Sequence, residues 1–126
     1  MTEGTQPRSV KGSTILVVED DYFIADELRN GFEERGGQVL GPVPTVEAAL
    51  KIIEATPDLD AATLDVALGE GNAFAVADVL IEKDIPFVFL TGYSGWVIPE
   101  RYDMTERHKK PARIQEVVNS LFDDET

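Results

Sequence analysis

The chain has 126 residues, with 24 acidic and 11 basic side chains, a net charge of -13 at neutral pH, and no cysteine. That length suits one domain with enough interior to hold itself without staples, and the lack of cysteine excludes disulfides, thiolate metal sites and thiol nucleophiles. A lone histidine, His108, is too little for a histidine-rich metal site or a serine-histidine hydrolase, and the acidity disfavours direct nucleic-acid binding while favouring a cation held among carboxylates.

Met1 to Ser13 is polar, holds Gly4, Pro7 and Gly12, and has neither a helical nor a strand period, so residues 1–13 read as a flexible lead-in without the apolar core of a signal peptide. Thr14 to Val18 is apolar and β-branched, which predicts a buried strand. Glu19-Asp20-Asp21 turns into a helix over Tyr22–Arg35, with Phe23, Ile24, Leu28, Gly31 and Phe32 on or beside its apolar stripe, and Gly36-Gly37 stops it. Val39 to Val43 reads as an edge strand, because Pro42 has no amide to give to a ladder. Thr45 is placed to cap a helix over Val46–Ala55, which Pro57 ends. Leu59 to Leu64 is the third strand and runs into Asp65. A loop with Gly69 and Gly71 then leads to a helix over Ala73–Glu82. Pro86 opens the clearest strand, Phe87-Val-Phe-Leu90, which leaves the core through Thr91-Gly92.

Beyond Tyr93 the pattern thins. Ser94 to Pro99 has room for at most one helical turn, Glu100 to Arg107 lacks an apolar period, and a fifth strand near Thr105 to His108 is short and polar. Pro111 suits the first turn of a closing helix whose apolar face is Ile114, Val117, Val118, Leu121 and Phe122. Five βα units joined by right-handed crossovers predict an α/β domain over residues 14–123, a parallel sheet with helices on both faces, and a flexible tail at 124–126. No apolar run is long enough to span a membrane, so a cytoplasmic chain without membrane insertion is expected.

In such a sheet the loops after the C-terminal strand ends line one crevice. Glu19 and Asp20 reach it from the first strand, Asp65 from the third and Thr91 from the fourth. Carboxylate oxygens suit a hard, six-coordinate cation that keeps several waters, hence Mg2+. A helix-capping role accounts for an acidic residue at the first strand end but does not predict Asp65 and Thr91 at its neighbours. A carboxylate beside such a cation can be a nucleophile toward phosphorus, with a hydroxyl and an ammonium group bonding the phosphoryl oxygens. Lys109 and Lys110 are the ammonium candidates, and Lys110 is preferred because Pro111 holds its backbone extended.

Through Ile15-Leu-Val-Val-Glu-Asp-Asp21, Leu64-Asp65, Phe89-Leu-Thr-Gly92 and Lys110-Pro111, the chain resembles a response regulator receiver domain of two-component signalling, over about Thr14 to Phe122. The resemblance implies a flavodoxin-like sheet of strand order 2-1-3-4-5. It implies that Asp65 accepts a phosphoryl group, that Thr91 bonds it and that Lys110 pairs with it. Glu19, Asp20, Asp65 and the backbone carbonyl of Ala67 would then hold Mg2+, or Mn2+ in its place, and Glu19, longer than the commoner Asp, would reach the cation through water. The implied partners are a sensor histidine kinase or histidine phosphotransferase as phosphodonor and a downstream protein target, for a monomer or weak dimer that binds no nucleic acid. Phe87-Val-Phe-Leu-Thr-Gly-Tyr93 further resembles a stand-alone variant group with a Phe-x-Thr-Gly motif and an atypical fourth helix. The aromatic switch position of ordinary receivers, three residues before the lysine, is Arg107 here.

The chemistry expected is self-phosphorylation and autodephosphorylation, without classical turnover. An aspartyl-nucleophile hydrolase would carry a second acid two residues after Asp65, where Ala67 stands. The rival from another class is a degenerate receiver, a binding or scaffold module that is never phosphorylated. Gly69 and Gly71 lack a phosphate-loop signature and read as loop flexibility, and His108 reads as a local charge and not as a phosphorelay histidine. Trp96, Val97, Ile98 and Tyr102 are apolar side chains suited to contact or packing in the output region.

Overall fold

The computed structural model describes residues 9–68, 73–92 and 98–123. Most of the expected lead-in, the Gly69 and Gly71 loop, Trp96 with Val97, and the 124–126 tail lie outside the described residues. Five strands, β1 (Thr14–Val18), β2 (Gln38–Val43), β3 (Ala61–Asp65), β4 (Phe87–Thr91) and β5 (Arg107–Lys109), pair in parallel in the order β2-β1-β3-β4-β5. This is the flavodoxin-like α/β fold expected from the sequence.

Helices α1 (Tyr22–Glu34) and α4 (Ile114–Leu121) cover one face of the sheet, and α2 (Val46–Ala55) and α3 (Ala73–Glu82) the other. Alternation along each strand divides the core. Leu16, Val18, Leu64 and Phe89 point toward α2 and α3, whereas Ile15, Val17, Val88 and Leu90 point toward α1 and α4. Because both faces are covered, β1 and β4 are apolar at every position but one, and β3 is buried throughout although it carries Thr63 and Asp65.

Local chemistry sets the helix starts. Asp21 caps α1, its Oδ1 accepting the amides of Phe23 and Ile24 at 2.9 and 3.1 Å, and Thr45 caps α2 as expected, accepting from Ala48 N at 3.1 Å. In β2, Leu16 pairs with Leu40 but Val18 with Val43, so one extra residue bulges at Gly41-Pro42. Gly41 has φ +88°, and a Cβ there would lie 2.7 Å from Val43 N; glycine is required at that corner.

Several details differ from the sequence expectation. Of residues 9–13, assigned to the lead-in, Val10 and Ser13 are buried, while Gly12 N donates to Gly36 O and Gln38 N to Ser13 O. The third strand begins at Ala61 and not at Leu59, although Asp60 still holds β1, its amide donating to Thr14 O at 2.9 Å and its side chain accepting Thr14 N at 2.8 Å. Phe23 is 85% exposed and off the apolar stripe, since the inward positions of α1 are Ala25, Leu28, Gly31 and Phe32. Pro111 lies outside the closing helix. Residues 111–113 carry the chain from the sheet edge to the helical layer, and α4 starts after Arg113. Between β4 and β5 the described residues hold a single 3-10 turn, Glu100–Tyr102, where a fourth helix would ordinarily stand.

The Thr45 cap gives a direct check of the helical layer. Thr45→Ala should lower stability by about 1 kcal/mol, read as a shift in urea midpoint at constant m-value.

Candidate functional site

Strand ends and one side chain build the site. β1 ends at Val18 and its ladder continues one residue further, Glu19 N donating to Val43 O at 2.9 Å, so the Glu19 side chain is held at the sheet edge and is almost fully buried. β3 delivers Asp65, 1% exposed, beside it. On the far side, β4 and β5 extend their pairing through Lys110 N to Thr91 O at 2.8 Å. From there the Lys110 ammonium reaches back across the strand ends, with Nζ 2.9 Å from Glu19 Oε2 and 3.1 Å from Asp65 Oδ2.

The remaining lone pairs are partly occupied. Asp65 Oδ1 accepts the Ala67 amide at 3.0 Å, and Glu19 Oε2 also accepts Asp21 N at 3.1 Å. Glu19 Oε1 is buried and has no hydrogen-bond partner among the described residues. Burial is the largest influence on Glu19 and pushes its carboxyl up to about 7 against the pull of Lys110, with Asp65 adding to the rise. For Lys110 burial works against the charge, but the two carboxylates outweigh it and its pKa lies above the ordinary lysine range.

Oxygen atoms of Glu19, Asp20 and Asp65 lie within 4.8 Å of one another, with Asp20 exposed and the other two buried. All three donors are hard oxygens, and the partnerless Glu19 Oε1 supplies an acceptor without a proton to meet it; this fits a divalent cation. The capping role considered for the acidic run falls to Asp21, its third member.

Of the residues marked by the sequence, Glu19, Asp65 and Lys110 are in contact, Asp20 adjoins them, and Thr91 ends the neighbouring strand at a half-buried position. Lys109, the other ammonium candidate, is exposed. His108 is half-buried with Nε2 2.8 Å from Ser120 Oγ, a contact that ties β5 to α4. Sequence reasoning missed the neighbourhood of Tyr102. Its ring is fully buried, stacked on Phe74 at 5.2 Å and edge-on to Phe89 at 5.4 Å. Arg107, at the position where ordinary receivers carry an aromatic ring, donates to Tyr102 O at 2.9 Å. Only the apolar character of Tyr102 hinted at this.

A parallel 2-1-3-4-5 sheet with an acidic cluster and a lysine at the C-terminal strand ends defines a receiver domain, and the chain belongs to the response regulator receiver family. It is 37% identical to SdrG from Sphingomonas melonis Fr1, whose solution structure superposes with a TM-score of 0.78 over 90% of this chain and 95% of that one; SdrG has also been solved in a BeF3-activated conformation. It is 34% identical over 119 residues to the phyllosphere-induced regulator PhyR of Methylorubrum extorquens, covering 86% of this chain and 43% of PhyR. A response regulator protein from Burkholderia pseudomallei, solved with a phosphorylated aspartic acid, calcium ion and citrate, shares the fold at a TM-score of 0.73 and 24% identity, over 86% of this chain and 66% of that one. The chain spans less than half the length of the curated relatives it matches. No family model matches it.

Lys110 is shared between two buried carboxyl groups, so its removal has a pH signature. In metal-free buffer at pH 8, Lys110→Ala should cost about 3 kcal/mol. The raised folded-state pKa of Glu19, about 7 against 4.5, means the folded chain binds more protons than the unfolded one across that window. Lowering the pH through about 7 therefore stabilises the fold through this group, more so once Lys110 no longer opposes protonation. Urea melts should show the mutant's deficit shrinking between pH 8 and pH 5.5; equal deficits would uncouple Lys110 from Glu19.

Proposed function

We propose that the chain is a phosphorylation-dependent receiver in a two-component system, in which Asp65 takes a phosphoryl group from a phosphohistidine protein and the altered surface is read by a partner protein. The observation that carries this is the buried Asp65 carboxylate at the strand-end crevice, flanked by the Glu19 and Asp20 oxygens and the Lys110 ammonium.

An Asp65 oxygen forms the new P–O bond as the P–N bond of the donor imidazole breaks and its electron pair returns to the nitrogen. Glu19, Asp20, Asp65 and the Ala67 carbonyl would hold a divalent cation, Mg2+ or Mn2+, which when bound supplies positive charge against the phosphoryl oxygens. Lys110 is already at Asp65 Oδ2 and supplies a second positive group to the product, while the Ala67 amide fixes the orientation of the carboxylate. Thr91, at the end of β4, offers a hydroxyl to the same oxygens. Apolar side chains line a cleft of about 580 Å³ between α1 and residues 110–114, among them Ile24, Leu28, Leu90 and Ile114. With exposed Tyr22 and Phe23 at the start of α1, it gives a phosphodonor helix a place to rest close to Asp65. Output is assigned to the side of the domain formed by the 3-10 turn, β5 and α4. The kinship with SdrG, for which a BeF3-activated conformation exists, supports the reading.

Incubation with acetyl phosphate and Mg2+ should add one phosphoryl mass to the wild type and none to Asp65→Asn, whose fold is retained because the side chain keeps its shape. Chelation of the metal should abolish the addition. A wild type that stays unlabelled with metal present would favour the scaffold alternative, and a labelled Asp65→Asn would place the acceptor elsewhere.

A further inference from the structure

A one-turn 3-10 helix has no stability of its own, because nucleation is unfavourable and the bonds are poorly aligned. The turn Glu100–Tyr102 is ordered by side chains that converge on Tyr102. The buried hydroxyl donates to the Asp78 carboxylate on α3, with Phe74 O as a second acceptor at 3.2 Å. Arg101 forks onto the same carboxylate through Nε and an Nη, each at 3.3 Å, and lies 4.6 Å over the Tyr102 ring. Arg107 Nη2 holds the Tyr102 and Thr105 carbonyls at 2.9 and 3.3 Å. The hydroxyl first and Arg101 second hold the Asp78 carboxyl below the usual carboxylate range.

These anchors join the phosphoacceptor end through one strand pair. Tyr102 packs edge-on against Phe89, two residues before Thr91 on β4 and on the same face. Phe89 is in register with Arg107, and Thr91 with Lys109. Lys110 follows directly and is engaged with Asp65 and Glu19. All the anchors of the turn are made while Lys110 sits on the carboxylates. The change left to the segment when that arrangement is broken is release.

We propose that Tyr102 and Asp78 form a latch that holds residues 98–102 on α3 while Asp65 is unmodified and opens when Asp65 carries a phosphoryl group, exposing the α3 and β4 surface that the Tyr102 ring covers. This rests on the reading of Asp65 as phosphoacceptor and goes beyond it by naming the element that converts the modification into a changed surface.

The amides of Tyr102, Asp103 and Thr105 donate to Pro99, Glu100 and Tyr102 carbonyls at 3.0, 2.9 and 2.9 Å and so report the state of the turn. Their hydrogen exchange is measured residue by residue in wild type with and without Mg2+ and beryllofluoride, and in Tyr102→Phe and Asp78→Ala without them. Both variants should exchange about tenfold faster at these three amides, as loss of one charge-assisted bond implies. Wild type should do the same once a bound fluorine signal and a shifted Ala67 amide show the mimic seated at Asp65. A seated mimic with unchanged exchange overturns the latch and leaves Asp65 as acceptor, and unchanged exchange in both variants overturns the anchoring role. Failure of the mimic to seat removes the phosphoacceptor reading and the latch together.

Discussion

The Lys110 ammonium keeps two buried carboxylates from repelling each other at the ends of β1 and β3. Two such charges without a cation would be costly in a site from which water is largely excluded, by about 3 to 5 kcal/mol for a broken buried pair. In the sheet order, β5 is separated from β1 by β3 and β4, so the cation must cross two strands to serve both. A four-carbon lysine arm on one side and a glutamate on the other can close that span. The same demand fixes where β5 must end. Three residues are enough for this strand because its last pairing, Lys110 N to Thr91 O, delivers the side chain to its place.

Elements whose burial follows from local pattern can be read from the residues alone. The apolar runs of β1 and β4, the Thr45 cap and the bounds of α2 and α3 are as the sequence implies, because a strand covered on both faces leaves no choice of residue type. The convergence of Glu19, Asp65 and Lys110 was legible for a topological reason: parallel βα units bring C-terminal strand ends together whatever lies between them. Their chemical roles are proposals on that geometry.

What escaped the sequence depends on contacts distant along the chain. Phe23 and Phe32 look alike in a helical stripe, and three-dimensional packing alone sends one to solvent and the other to the core. Residues 100–107 show no period because their order comes from Asp78 on another element and from Arg107 bonding carbonyls. An arginine in place of an aromatic ring would read as a loss if its own position were all that counted. The buried ring sits five residues earlier instead, where Tyr102 fills the space between Phe74 and Phe89.

The two margins of the sheet bear on how the molecule associates. β2 is broken by the Gly41-Pro42 bulge and lacks an amide at Pro42, and β5 offers only Arg107 to Lys109 with charged side chains at both ends. An open sheet with long, flat margins would be a template for strand addition and for fibrous growth. Here neither margin can extend a ladder by more than a bond or two. The sheet margins therefore give further copies little to add to edge to edge, which leaves association to side-chain chemistry on the helical layers.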